Sequence, residues 1–258
     1  MIILRDDKRI ARLRAIGRYT SLFGMLALIG GFILVTLSWF GEDKLPITLD
    51  QVLLYQLVLL TVGWLFSQIG LFLANRYVRE PRADEVLDKS VGKFARNGRL
   101  YHYLLPAPHV LLTQNGIVVF NAKFQRGQIS VDGDKWTQKG IGLSRFFAQE
   151  ALGNPTKEVE NMVSAVAAYI NKNAPSVAEV PIAPMIVFTS KNMEELELDG
   201  SNIPAVHHSK LKGFLRKQKG KLPPLSAADY EAIRQAFDKK AAHLLDAEGN
   251  PLVVVQEA

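Results

Sequence analysis

The sequence predicts an α/β (α+β) domain with a central mixed sheet flanked by helices, preceded by a two-helix transmembrane hairpin. Three observations predict it. Two long runs, residues 19–41 and 51–75, carry no charge. Strand signals cluster between residues 100 and 131. Helical spacing then takes over at 155–171, and a wholly apolar strand follows at 183–189.

Each charge-free run is long enough to cross a hydrocarbon core of ~30 Å at ~1.5 Å per residue. The apolar part of a signal peptide is only about 7–15 residues long. Arg5, Lys8, Arg9, Arg12, Arg14 and Arg18 precede the first run, and Arg76, Arg79 and Arg82 follow the second. The connector between them is acidic, with Glu42, Asp43 and Asp50 against Lys44. This asymmetry predicts a two-span protein of the cell membrane with both termini in the cytoplasm. Residues 1–18 read as a basic cytoplasmic segment and 19–75 as the hairpin. Neither run holds an acidic, basic or histidine side chain, which argues against a transporter or a proton relay. Ala27 and Gly31 are spaced for close helix contact.

The chain has no cysteine, which removes disulfides, thiol catalysis and thiolate metal sites. Residues 1–79 carry nine basic and five acidic side chains, so they account for +4 of the net +6. Topology and anionic lipid explain that excess, so the overall charge is no argument for nucleic acid.

Beyond the hairpin, residues 83–96 read as an amphipathic helix with Val86, Val91 and Phe94 on one side. Strands are expected at 100–105, 109–113, 117–124 and 127–131, with Asn115-Gly116 as a hairpin turn. Trp136 is expected to cap the sheet as a packed aromatic. An amphipathic helix is expected at 155–171, entered through Asn154 as N-cap and Pro155 as first residue. The apolar strand at 183–189 should be central and buried. A short strand at 203–206, a basic helix at 209–218 and a last helix at 226–245, capped by Ser226, complete the order.

The stretch PHVLLTQNGIVVFNAKFQRGQI, then Trp136, then ALGNPTKEVENMVSAVAAYI and APMIVFTS, resembles a nuclease-related (NERD) domain. That family has the restriction-endonuclease-like PD-(D/E)XK fold. The resemblance spans roughly residues 82–215, leaving 216–258 as a C-terminal helical extension. It implies two carboxylates at strand ends holding Mg²⁺ or Mn²⁺, with a lysine two residues beyond the second on the same strand face. The family's Glu-x-Lys falls on Asn121-Ala122-Lys123, and its aspartate falls on Pro108. The lysine is kept and both acids are lost. Glu85 is the candidate for the accompanying helix glutamate, with Asp84 and Asp88 as competitors. The expectation is therefore a nuclease fold that binds rather than cuts, needs no cofactor and holds no metal. The rival is an active divalent-metal nuclease around Lys123 and Glu85, completed by a migrated Glu150 or Asp132.

Two further features bear on partners. Gln125 continues the face of Lys123 and could bond a phosphate. Lys210, Lys212, Arg216, Lys217, Lys219 and Lys221 form a basic cluster, with no acid from residue 201 to 225. Such a cluster suits anionic lipid or nucleic acid, and equally a merely solvated face. A protein partner or a homo-oligomer is the remaining class. His102 and His109 flank a Pro-containing turn and are expected to be structural.

Overall fold

The structure, a computed structural model, describes residues 1–40, 48–92, 97–142, 151–190, 193–218 and 224–252. The chain divides into two units, one built on 7–82 and one on 1–6 together with the chain from Ala83 onward.

The first unit is an antiparallel helical hairpin. Helix α1 runs Asp7–Phe40 and α2 runs Leu49–Leu73, with a capping box formed by Thr48 and Gln51 at the start of α2. A π-turn, Ala74–Val78, continues α2. Both helices are long and apolar enough to cross a membrane. Their outward side chains are apolar, with Phe32 72%, Trp39 75% and Phe40 81% exposed. The helices meet along a seam of small residues. Gly24 faces Ser67 and Gly63, Gly70 faces Ser21, and Gly31 faces Leu59. Without side chains there, the backbones approach closely, which is how helices associate where hydrophobic burial gives no drive. The seam includes Gly31 and buried Ala27, as the spacing suggested. Glu42, Asp43 and Lys44 lie outside the described residues.

The second unit is a sheet covered on both faces. Its strands are β1 Ile2–Arg5, β2 Arg99–His102, β3 His109–Thr113, β4 Gly116–Lys123, β7 Ile182–Phe188 and β9 Ala205–His207, in the spatial order β1-β2-β3-β4-β7-β9. The β3–β4 hairpin closes through Thr113 paired with Gly116. The β1–β2, β4–β7 and β7–β9 pairs are parallel. Alternation along the strands sorts side chains to two faces. Val110, Leu112, Ile117, Val119, Ile186 and Phe188 pack beneath α4, Pro155–Asn173, and α6, Ala227–Asp238. Leu100, Leu111, Phe120, Met185 and Val187 pack beneath α3, Ala83–Val91, and α5, His208–Gln218.

Several boundaries differ from the sequence reading. The first expected strand stops at His102, because Tyr103 turns the chain with φ 59° and donates its N–H to the Pro108 carbonyl. The strand expected at 127–131 forms, as β5 Gln128–Asp132, but outside the main sheet. It pairs with β6 Lys135–Lys139 and β8 Leu196–Glu197 in a small second sheet, and Trp136 lies on β6. The short strand expected at 203–206 is Ala205–His207, and the last helix becomes 3-10 at Lys239–Leu244. The C-terminal helices are no extension. The boundary at 216 cuts α5, and Ile233, Ala236 and Phe237 of α6 belong to the main core.

The unit also recruits the first residues of the chain. β1 is clamped by Arg5, which reaches Asp84 at 3.1 Å and Asp88 at 2.9 Å on α3. Asp88 in turn meets His102 Nε2 at 2.9 Å, and the Nδ1 atoms of His102 and His109 lie 2.7 Å apart. The two histidines thus join a buried polar network between β1, α3 and the β2–β3 pair.

A second buried polar node fixes α6. Asp238 accepts from Arg99 at 2.8 Å, Tyr101 Oη at 2.8 Å and Arg234 at 3.0 Å. Burial and the Asp238 carboxylate push the Tyr101 phenol above its ordinary pKa. Asp238→Ala would strand the Arg99 guanidinium and the Tyr101 hydroxyl. We expect a stability loss of about 3–5 kcal/mol in urea unfolding of the full chain in detergent. A loss below about 1 kcal/mol would show that the node is not needed.

Candidate functional site

On β4, the parity that sends Ile117 and Val119 toward α4 also sends Asn121 and Lys123 there. These polar residues come last on the strand, where α4 begins. Asn154 caps α4 by accepting the Lys157 N–H at 3.1 Å, and Pro155 occupies the first turn. The first turn of α4 thereby hangs over the end of β4.

Glu158, one turn into α4, completes the cluster. Lys123 Nζ lies 2.9 Å from Glu158 Oε1 and 2.6 Å from Oε2, and donates to the Leu152 carbonyl at 3.0 Å. Asn121 Nδ2 donates to Glu158 Oε2 and to the Pro155 carbonyl, both at 3.1 Å. Both neighbours are acceptors, so the amide nitrogen is the end that faces them. Gly153 has φ +65°, and a Cβ there would stand 2.6 Å from Glu158 Oε1. The glycine lets the Leu152 carbonyl and Glu158 both reach Lys123. Beside the cluster, Trp136 Nε1 donates to Thr156 Oγ1 at 2.8 Å, so β6 is tied to the same helix start.

The arrangement neutralises the lysine. Its side chain is 9% exposed and engaged with one carboxylate. A hard divalent ion needs several charged oxygens at ~2.0–2.6 Å. Glu158 is already shared between Lys123 and Asn121, and Asn121 presents a donor, not a ligand oxygen. Pro108 offers no ligand side chain. Among the described residues no group of three or more His, Asp or Glu side chains could hold a metal ion. Among the described residues, the donor set does not fit the Mg²⁺ or Mn²⁺ that the fold resemblance implies.

The other predicted residues fall elsewhere. Gln125 is buried beside the cluster, donating to the Ala151 carbonyl at 3.4 Å, with its Oε1 unpaired among the described residues. Glu85 sits on α3, the helix that covers the opposite face of the sheet. Asp132 ends β5, paired across the ribbon with Lys135, and Glu150 lies outside the described residues. The basic helix is also on the opposite face from Lys123. Leu211 and Leu215 anchor α5, leaving Lys210, Arg216 and Lys217 exposed and Lys212 half-buried. Lys219 and Lys221 lie outside the described residues. Desolvation and the neighbouring His207 hold the His208 imidazole below its ordinary pKa, so it adds little charge to this face at neutral pH. Lys123 and the basic helix therefore do not make one positive surface.

Glu158 was missed by sequence reasoning. It stands 35 positions after Lys123, and strand alternation says nothing about a helix residue. The usable signal was an acid in the first turn of a helix entered through Gly153-Asn154-Pro155.

Residues 85–189 match the family model of the nuclease-related domain, so the chain carries a NERD domain, a nuclease-like fold. No curated protein and no solved structure gave a match.

Proposed function

We propose that this is a membrane-anchored NERD protein whose nuclease site no longer cuts and whose domain serves as a binding module. The observation that carries this reading is the Lys123–Glu158–Asn121 cluster. Where the family mechanism needs a metal between two carboxylates, this chain has a closed ion pair. A buried cation engaged by its own helix cannot stabilise charge developing on a phosphodiester.

The anchor is supported by the chain path as well as by hydropathy. β1 precedes the hairpin and α3 follows it, and both belong to one folded unit. A chain that crosses a bilayer twice between them must keep both on the same side. The basic flanks make that side the cytoplasm. For the module's ligand, the exposed Lys210, Arg216 and Lys217 of α5 favour a phosphate-bearing polyanion, nucleic acid or lipid surface, over an uncharged partner.

The test is a cleavage assay on the full chain in nanodiscs, with single- and double-stranded DNA and RNA and either Mg²⁺ or Mn²⁺. We expect no cleavage above the empty-disc control. Metal-dependent cleavage that disappears in Lys123→Ala would overturn the reading. For binding, Lys210→Ala/Arg216→Ala/Lys217→Ala should weaken and flatten any salt-dependent polyanion binding, while Lys123→Ala should leave it unchanged.

A further inference from the structure

Helix α2 has a second face, turned away from the seam with α1. Leu54, Leu57, Thr61, Trp64 and Gln68 are all exposed on it. Their spacing alternates between three and four residues, which sets them in one stripe along the helix. At ~100° per residue the stripe lies opposite Gly63 and Gly70, whose missing side chains let α1 approach. The polar members of the stripe lack partners. Elsewhere in the hairpin, Thr20 and Thr36 return their hydroxyls to carbonyls of their own helix at 2.9 Å, and Ser38 does so at 2.8 Å. The Gln68 amide and the Trp64 indole N–H make no hydrogen bond among the described residues.

Depth makes this costly. The charge-free run 51–75 centres on Gly63. Trp64 adjoins that centre, far from the interfacial level that suits its N–H. Gln68 stands five residues past the centre, or ~7.5 Å along the helix, well inside the ~15 Å half-thickness of a hydrocarbon core. Helix side chains lean toward the N-terminus of their helix. The Gln68 amide therefore leans back toward the centre, away from the nearer surface. Gln56 shows the contrast. It stands seven residues before the centre, and the same lean carries its amide outward to the nearer surface. Lipid tails offer no hydrogen bond, so an amide at the depth of Gln68 needs a protein partner in the plane of the membrane.

We infer that a second copy of this chain covers the stripe, with the two Gln68 amides hydrogen-bonded to each other across a twofold axis. A carboxamide both donates and accepts, so two of them satisfy one another. Copies inserted in the same orientation can pair only about an axis along the membrane normal, and that axis brings each stripe residue opposite itself at equal depth. The second copy thus supplies the matching amide by symmetry. The three-and-four spacing is the pattern of two parallel helices packed side by side, and one polar residue within such a stripe fixes register and the number of strands. Thr61, small and branched, lets the two backbones approach between Leu57 and Trp64. The inference rests on the reading of the hairpin as a membrane anchor. It makes α2 both an anchor and a dimer interface, and presents the domains in pairs.

The test uses the full chain in a mild non-ionic detergent, with the monomer–dimer constant read by sedimentation equilibrium. We expect a dimer that Gln68→Leu weakens by about tenfold. Gln68→Asn keeps an amide and should weaken it less. Gln56→Leu makes the same chemical change at the amide that reaches the surface, and should leave the constant unchanged. The chain has no cysteine, so one introduced thiol reports its own neighbour. In membranes oxidised with copper–phenanthroline, Leu57→Cys should cross-link two copies, and Phe32→Cys, exposed on α1, should not. A monomer at every concentration, a dimer indifferent to Gln68→Leu, or cross-linking through Phe32→Cys and not Leu57→Cys would each overturn the interface. Gln68 is exposed in the single chain, so its replacement leaves the hairpin fold in place. Failure of the anchor is told apart by alkaline extraction of membranes from expressing cells. A chain released into the soluble fraction sinks both readings, whereas a retained chain that stays monomeric sinks only this one.

Discussion

Gly24→Leu is expected to separate the two hairpin helices. A Cβ at this position would stand 2.5 Å from Ser67 Oγ, 2.7 Å from Ser67 N and 2.9 Å from the Gly63 carbonyl. Two of these three neighbours are backbone atoms, so no rotamer change relieves the clash. The helices must move apart along the whole seam, and the contacts at Gly17, Gly31 and Gly70 are lost with them. Overpacking of this kind costs about 1–3 kcal/mol at one site and more when a continuous interface opens. The same helix supplies its control, since a Cβ at Gly30 meets nothing within 4 Å. Gly30→Leu should therefore leave the hairpin intact, although it adds the same side chain to the same helix. The absence of native cysteine allows a clean distance measurement. Spin labels at Leu37→Cys and Leu53→Cys, both on exposed positions, should report one narrow distance distribution in nanodiscs. Gly24→Leu should broaden and lengthen it, and Gly30→Leu should not. Identical distributions in all three proteins would show that the seam does not hold the hairpin.

What could be read from the sequence was what depends on neighbours along the chain. β3, the Asn115-Gly116 turn and β4 were legible because alternation and turn chemistry act over a few residues. α4 was legible because its cap, its first proline and its apolar spacing all agree. β1 was not. It has four residues, runs almost directly into α1, and pairs with β2 about a hundred positions later. Nothing local distinguishes Ile2–Arg5 from the start of a basic segment. β6 was missed for another reason. Its burial alternates, but Lys135, Thr137 and Lys139 are polar and Trp136 is its one large apolar side chain, so the period-2 hydrophobic signal is absent. β5 was legible as a strand, whereas its place in the second sheet depends on β8, some 65 residues away.

The same division runs through the candidate site. Alternation put Asn121 and Lys123 on one face, and the structure keeps them there. The helix over that face decides their chemistry, and helix placement follows from topology. β4 and β7 are parallel neighbours, so the chain between them must cross over the sheet, and α4 is that crossover. The return after β9 puts α5 on the other face, with α3. That is why Glu158 meets Lys123 while Glu85 and the lysines of α5 do not. A lysine and an acid that looked unrelated in sequence form the pair, and the acid expected to help lies across the sheet.

Glu158→Ala is the change that should expose what this pair contributes. Removing the carboxylate leaves the Lys123 ammonium with the Leu152 carbonyl and no anion, and takes from Asn121 Nδ2 one of its two acceptors. Losing one partner of a fully buried pair costs about 3–5 kcal/mol. Here the Glu158 side chain is 36% exposed, so water can enter and the expected loss is about 1–3 kcal/mol. Lys123→Met in the same background removes the stranded charge, so the double variant should be more stable than Glu158→Ala alone. That crossing of effects is the signature of a pair. Strictly additive losses, read from urea unfolding of the full chain in detergent, would mean that the two side chains act separately. Asn121→Glu is the complementary test of the closed site. It places a second carboxylate beside Glu158, where two like charges share one lysine and repel. The variant should be destabilised without divalent metal and regain stability with Mn²⁺, while the natural sequence shows no Mn²⁺ response. If the natural chain is itself stabilised by Mn²⁺ through Glu158, the site is open to metal and the closed-pair account of its chemistry fails.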